Sequence, residues 1–282
     1  MMSLDLSKAF DIVDHTLLIR AIGQSPLDHS TVRWLTAYLR GRTAACRYFH
    51  TTSPCRSVRI GVPQGSVISP TLFNFYVSSY PNTCPLLTSY ADDFTAAASS
   101  TDPREAGDIL ASHASDVVSW VGEKRLLLSA PKSSVTLFTP DTHQSHLQPI
   151  VPVLGSPLPL DRTPRVLGVK LDTHFTFSPH ISDIANKASN RLNILKALAG
   201  SNWGQQRETL LTTYRALVRP LFTYAAPIWF PNAPTSGVLK LQRIQNSALR
   251  ISTGSLKMSS QDHLHSKTQV LPVHNHLSLL CS

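Results

Sequence analysis

The spacing of apolar residues changes character near residue 177. Before that point short stretches alternate between strand-like and helix-like patterns. LDLS (4–7) reads as a short strand and runs into KAFDIVDHTLLIRAIG (8–23). There Phe10, Val13, Leu17, Leu18 and Ile22 recur at roughly helical spacing, with Gly23 as a candidate C-cap. STVRWLTAYLRG (30–41) predicts a second helix ending at Gly41, and RTAACRYF (42–49) and RSVRIG (56–61) predict short strands. PTLFNFYVSSY (70–80) reads as a buried helix with Pro70 in its first turn, and TSYADDFTAAA (88–98) as a hairpin.

After residue 177 the pattern is helical throughout. Ser178 and Pro179 give an N-cap and first-turn signal, followed by Ile181, Ile184, Ala185, Ala188, Leu192, Leu195 and Ala199. Residues 206–221 repeat the pattern until Pro220, which is expected to end or kink the helix. A third helix is expected over 238–251, with Lys240, Arg243, Ser247 and Arg250 on one face and Val238, Leu241, Ile244 and Ala248 on the other. That basic stripe is either an ordinary solvated face or a contact surface for a polyanion. The Pro-rich stretch 140–165 reads as a loop with a short extended segment, and as the seam between the two regions.

Composition narrows the classes. Hydrophobic residues make up 42% of the 282 residues, an ordinary globular share. No apolar run reaches the ~18 residues of a membrane span, and the charged start MMSLDLSKAFDIVDH does not suit a secretory signal. Cys46, Cys55, Cys84 and Cys281 lack C-x-x-C spacing, which speaks against a zinc ribbon or a disulfide framework and suits a reducing, intracellular setting in cytoplasm or nucleus. Of the net charge of +9, residues 181–282 carry +8 and residues 1–180 only +1. Nucleic acid is the commonest partner for such a basic region.

The acidic pair Asp92–Asp93 is the first candidate for chemistry. Two unit charges ~4 Å apart repel by ~4 kcal/mol at an effective dielectric of ~20. Mg²⁺ offsets such repulsion through oxygen ligands, and two ions clamp the attacking and leaving oxygens of phosphoryl transfer. Asp5, at the end of the LDLS strand, is the natural third carboxylate. The bland alternative is a turn whose carboxylates cap backbone amides.

Three ordered segments, SLDLSKAFDIVDH (3–15), GVPQGSVISPTLFNFYV (61–77) and SYADDFT (89–95), resemble the central palm motifs of reverse transcriptases of the jockey-like non-LTR retrotransposon type. WVGEKRLLLSAPKSSVTLF (120–138) and VLGVKLDTHFTFSPHI (166–181) resemble the segments that follow, and the likeness continues through LVRPLFTYAAPIWFP and LQRIQNSALRISTG. The resemblance implies an α+β fold: a polymerase-type palm, an antiparallel sheet with packed helices, over 1–177, and a basic helical thumb and following region over 178–282. It implies RNA-directed DNA synthesis on an RNA template with a DNA primer and deoxynucleoside triphosphates, using two Mg²⁺ ions for which Mn²⁺ substitutes. Asp5, Asp92 and Asp93 match the metal-binding aspartates. Phe10 matches the aromatic that faces the nucleotide sugar, and Gln64 with Gly65 a nucleotide or template contact. Tyr90 matches the residue at the primer or template backbone, and Lys132 a lysine that protonates departing pyrophosphate. Lys240, Arg243 and Arg250 are then expected on duplex phosphates.

The likeness starts almost at Asp5, where the family has fingers and earlier palm segments ahead of it. A fragment of a longer reading frame or a degenerate copy is therefore expected. A non-catalytic nucleic-acid-binding remnant, or a product that does not fold stably, are the rival expectations. His263, His265, His274 and His276 offer a competing H-x-H zinc signal, without a cysteine pair or an acidic general base.

Overall fold

The computed structural model describes residues 1–141, 143–144, 147–200 and 204–282, and it divides the chain into two compact units. The first comprises Met1–Leu137 with Asp141–Asp161, the second Phe138–Pro140 with Arg162–Ser282. Within the Pro-rich stretch, residues 142, 145 and 146 lie outside the described residues.

The first unit runs β1 (Met2–Asp5), α1 (His15–Gly23), α2 (His29–Leu39), β2 (Thr43–Ala44), β3 (Arg47–Tyr48), β4 (Thr51–Thr52), β5 (Arg56–Ser57), α3 (Ser69–Val77), β6 (Leu86–Tyr90), β7 (Asp93–Ala97), α4 (Pro103–Glu123), β8 (Ser134–Val135), β9 (Pro152–Val153) and β10 (Ser156–Pro157). Its main sheet is antiparallel, in the order β6-β7-β1-β8. The strand bearing Asp5 is thus internal, with β7 on one side and β8 on the other. Alternation fixes which face is dry. Met2 and Leu4 of β1 and Phe94 and Ala96 of β7 are at most 2% exposed, and they enter a core shared with Leu18, Ile22, Leu72, Phe73 and Tyr76. Each such side chain contributes roughly 1.5–3 kcal/mol on burial.

Several local expectations are revised. Residues 8–14 are not helical: Asp14, in an extended conformation, accepts from the amides of Thr16 and Leu17 and starts α1 at His15. Phe10 therefore sits in the turn that precedes the helix. Gly23 is the last helical residue and Gln24 the cap, and the second helix starts at His29 under an Asp28 cap and ends at Leu39. Pattern reading assigned no helix to 103–123, yet α4 is 21 residues long. Its Leu110, Ala114, Val117 and Val121 line one buried face, and Trp120 Nε1 donates to Ser79 Oγ at 3.2 Å.

The second unit runs β11 (Arg165–Val166), β12 (Val169–Lys170), α5 (Ser178–Ala199), α6 (Arg207–Leu217), α7 (Arg219–Thr223), α8 (Ala226–Trp229), α9 (Thr235–Thr253), α10 (Gln261–Thr268) and α11 (Val273–Cys281). Its core collects Ile181, Leu195, Tyr214, Trp229, Leu241 and Leu277. Val169 and Phe177 belong to this core too, so residues 162–177 join the second region rather than the first. Ser178 is the first residue of α5 and not its cap. The carboxylate of Asp172 instead accepts from the amides of Phe177 at 2.6 Å and Thr176 at 3.1 Å. α6 ends at Leu217, as Pro220 leads one to expect, and Pro220 sits in the first turn of α7, which starts at Arg219. Among the described residues no helix is long and apolar enough to cross a membrane.

Candidate active site

On the face of the main sheet opposite its core, the pairing register makes a row. Asp5 of β1 lies directly across from Asp93 of β7, and Asp93 directly across from Tyr90 of β6. Directly opposed residues of antiparallel strands share a face. The neighbouring row, Leu4, Phe94 and Ser89, turns Leu4 and Phe94 into the core, so the Asp5 row faces away from it. Between Tyr90 and Asp93 the chain reverses through Ala91 and Asp92, with Ala91 at φ +54°. A left-handed backbone at a residue other than glycine costs on the order of 1–2 kcal/mol. The tight turn sets Asp92 and Asp93 at the strand end nearest Asp5.

The loop 129–133 secures Asp5 from the other side. Its backbone amide donates to Ser133 Oγ at 3.1 Å, its carbonyl accepts from Ser129 N at 2.9 Å, and Ser133 Oγ in turn donates to Ser129 O at 2.8 Å. The same loop carries Lys132, whose Nζ stands 3.8 Å from Asp5 Oδ2. That is an ion pair but not a hydrogen bond, and with the lysine side chain 70% exposed it contributes little stability. Asp5 Oδ2 is itself buried and has no hydrogen-bond partner. A buried carboxylate oxygen without a donor is costly and is a place for a cation. Burial, followed by the neighbouring carboxylates of Asp92 and Asp5, pushes Asp93 above the usual carboxylate range.

These are oxygen donors of the kind Mg²⁺ takes, one or two carboxylates being its usual protein share. Among the described residues no group of three or more His, Cys, Asp and Glu side chains is gathered closely enough to hold a metal by itself. The three carboxylates thus have the right donor chemistry for such an ion without being drawn into a closed cage. Two of the four histidines of α10 and α11 are engaged in hydrogen bonds of their own. His265 contacts Val270 O at 2.7 Å and Gln242 Nε2 at 3.1 Å, and His276 Nδ1 contacts Arg219 Nη2 at 2.8 Å.

The 61–65 turn docks on the segment before α1. Val62 N donates to Phe10 O and Gly61 N to Val13 O, both at 2.8 Å, while His15 Nε2 lies 2.7 Å from Gly61 O. Gly61 has φ +83°, and a Cβ there would stand 2.7 Å from Asp11 O, so only glycine fits without a shift. Gln64 donates through Nε2 to Asp11 Oδ1 at 2.9 Å, and Gly65 follows at φ +85° with open space around it. Phe10 stacks on Phe73 with ring centroids 4.5 Å apart and is half-buried. Phe10, Gln64 and Gly65 therefore belong to one assembly.

The remaining candidates are scattered. Tyr90 is 66% exposed at the end of its row. In the second unit Lys240 and Arg243 are exposed on α9, whereas Arg250 donates to Ser259 O at 3.3 Å and ties the loop after its own helix. Ser129, Ser133 and Asp11 were missed in the sequence. Their partners lie 53 to 128 residues away, and no local spacing announces them.

Residues 1–171 match the family described as reverse transcriptase (RNA-dependent DNA polymerase). The chain is 30% identical over 257 residues to a probable RNA-directed DNA polymerase from transposon X-element of Drosophila melanogaster. It is 29% identical over 262 residues to the corresponding protein from transposon BS of the same species, and 28% over 266 residues to the RNA-directed DNA polymerase from mobile element jockey of Drosophila funebris. Each alignment covers 89% of this chain and 28% of the relative, so the chain spans little more than a quarter of their length.

Proposed function

The chain belongs to the reverse transcriptases of jockey-like non-LTR retrotransposons, and from that premise we propose that it carries the nucleotidyl-transfer centre of an RNA-directed DNA polymerase. The observation that carries this reading is the row that sets Asp5 across from Asp93, beside the turn bearing Asp92. In this proposal the first unit acts as the palm and the helical second unit as the thumb. Asp5, Asp92 and Asp93 hold the divalent cations; the orphaned Asp5 Oδ2 and the raised Asp93 carboxyl support that role. When bound, Mg²⁺, or Mn²⁺ in its place, neutralises the phosphate oxygens and lowers the pKa of the primer 3′-hydroxyl. That hydroxyl gives its proton to water as its oxygen forms a bond to the α-phosphorus of the deoxynucleoside triphosphate and the bond to pyrophosphate breaks. Lys132, exposed and not hydrogen-bonded to Asp5, gives its proton to the departing pyrophosphate and regains one from solvent. Phe10 stands against the sugar and rejects a 2′-hydroxyl by steric clash. Gln64, oriented by Asp11, and Gly65 contact the incoming nucleotide or template, and Tyr90 the primer or template backbone. Lys240 and Arg243 hold duplex phosphates without reading sequence, and Arg250 stands behind them as an anchor.

Primer extension on an RNA template with a DNA primer, in Mg²⁺ and in Mn²⁺, tests the proposal. Incorporation is expected to fall at least about a hundredfold in Asp92→Ala with duplex binding retained. Equal incorporation by Asp92→Ala sinks it. A second reading, a non-catalytic nucleic-acid-binding chain, is favoured by the net charge of +8 carried by residues 181–282. Duplex binding without incorporation in either metal would select it.

A further inference from the structure

One excursion of the first unit, between α2 and α3, buries nothing over residues 43–57. All 15 residues from Thr43 to Ser57 are exposed. They form a hairpin: β2 pairs with β5 and β3 with β4, and the register shifts by one residue between the two ladders, as a bulge does. A two-stranded ribbon without a core is marginal in water, so its composition is informative about what covers it. From His29 to Ala91 the chain holds six arginines, Arg33, Arg40, Arg42, Arg47, Arg56 and Arg59, with no lysine, aspartate or glutamate. Among the described residues none of the six makes an ion pair.

Aromatic side chains are interleaved with this charge. At the tip Tyr48 and Phe49 are each 76% exposed and pack edge to face with centroids 4.6 Å apart. At the root Arg42 lies 4.7 Å over the ring of Tyr38, which stacks at 6.2 Å on Trp34, itself 57% exposed. Beside them a cavity of about 410 Å³ is lined by Arg40, Arg42 and Arg59 together with His15. Guanidinium groups grip phosphates bidentately, and exposed aromatic faces stack unpaired bases. An acidic protein surface would use the charge and leave Tyr48 and Phe49 without a purpose.

We propose that this arm binds single-stranded RNA, with phosphates in the Arg40–Arg42–Arg59 groove and a base stacked against Tyr48 or Phe49. The identification of that strand as the unpaired template rests on the polymerase reading above; the binding itself does not. The test is fluorescence anisotropy of the whole chain with a labelled oligoribonucleotide across a salt series, without metal or nucleotides. The triple variant Arg40→Ala/Arg42→Ala/Arg59→Ala is expected to bind at least about tenfold more weakly. Its log–log salt slope should fall by about 2, at ~0.7 per lost phosphate contact. Tyr48→Ala/Phe49→Ala is expected to weaken binding roughly tenfold and leave the slope unchanged. If the triple variant lowers the thermal midpoint, Arg47→Ala/Arg56→Ala, on fully exposed strand positions, takes its place and is expected to lose one to two phosphate contacts. Parental affinity and slope in both the arginine and the aromatic variants overturn the proposal. So does equal competition by polyglutamate with no effect of the aromatic variant, since that would mark a general anion surface. Asp92→Ala should bind the oligoribonucleotide normally, so failed primer extension and failed arm binding are separate results.

Discussion

The two regions use arginine in opposite ways. In the helical region, which holds nearly all the net charge, most guanidinium groups are spent on backbone. Arg191 donates to Leu217 O at the end of α6. Arg207 and Arg215 donate to Lys267 O and Thr268 O at the end of α10, the latter at 3.3 Å, and Arg250 holds Ser259 O. The last carbonyls of a helix lack intrahelical partners, and long basic side chains satisfy them. In the first region, with a net charge of only +1 over residues 1–180, the arm's arginines stay out of ion pairs, and Arg42's bond to Tyr38 O is the local exception. Net charge counted along a sequence therefore does not report which charge is free to meet a partner.

The sharpest way to break this comparison is to remove the arginines from the helix ends. Arg207→Ala/Arg215→Ala removes two donors from the last carbonyls of α10 and should cost about 2 kcal/mol in denaturant unfolding. RNA affinity at a salt concentration where the variant is folded should stay within about twofold. Lys240→Ala/Arg243→Ala should do the reverse: stability within about 0.5 kcal/mol of the parent, with the duplex-binding salt slope reduced by about 2. If Arg207→Ala/Arg215→Ala weakens RNA binding while leaving stability intact, the distinction between spent and free charge fails.

A smaller effect separates backbone from side chain within the first region. Gly61→Ala must adopt φ +83° and push its Cβ away from Asp11 O, and should cost about 2 kcal/mol. Gly65→Ala meets the same backbone strain at φ +85° with open space, and should cost about 1 kcal/mol. Chemical denaturation of the two variants side by side checks the order. Equal costs would mean that the 61–65 turn is not held against residues 10–13 in solution.

What could be read from the sequence was mostly local. The hairpin around Asp92–Asp93 was visible because small and β-branched residues flank a two-residue reversal, and Pro70 and the apolar run marked α3. α5 and α9 were visible because their apolar residues repeat with one period for five turns or more. Phe10 was misplaced because its spacing to Val13 and Leu17 is helical, while the decisive contacts come from Gly61 and Val62, some fifty residues on. The anchoring of Asp5 by Ser129 and Ser133 was invisible for the same reason. The arginine arm escaped because its charge was averaged with acidic residues at both ends of the first region. α4 carries polar residues among its apolar ones, and only its packing against the sheet shows which of them form a face.

The smallest effect is the most diagnostic for the carboxylate row. Asp93 is pushed above its ordinary value of 3.8 by burial, Asp92 and Asp5, so the folded chain holds this proton more tightly than the unfolded chain does. The resulting stability is fully present below pH 3.8 and is lost as pH rises through the raised value. At neutral pH the ionised Asp93 therefore works against folding. Asp93→Asn removes that repulsion and should raise the thermal midpoint at pH 7 by about 1 °C, since the site is partly solvated and the gain is well under ~1 kcal/mol. The difference should close on acidification below pH 3.8. Added Mg²⁺ should raise the parent's midpoint more than the variant's, because the same repulsion is what a cation relieves. A variant less stable than the parent at pH 7, or a difference independent of pH, would mean that Asp93 is held by favourable contacts of its own and that the row does not store repulsion for a cation to release.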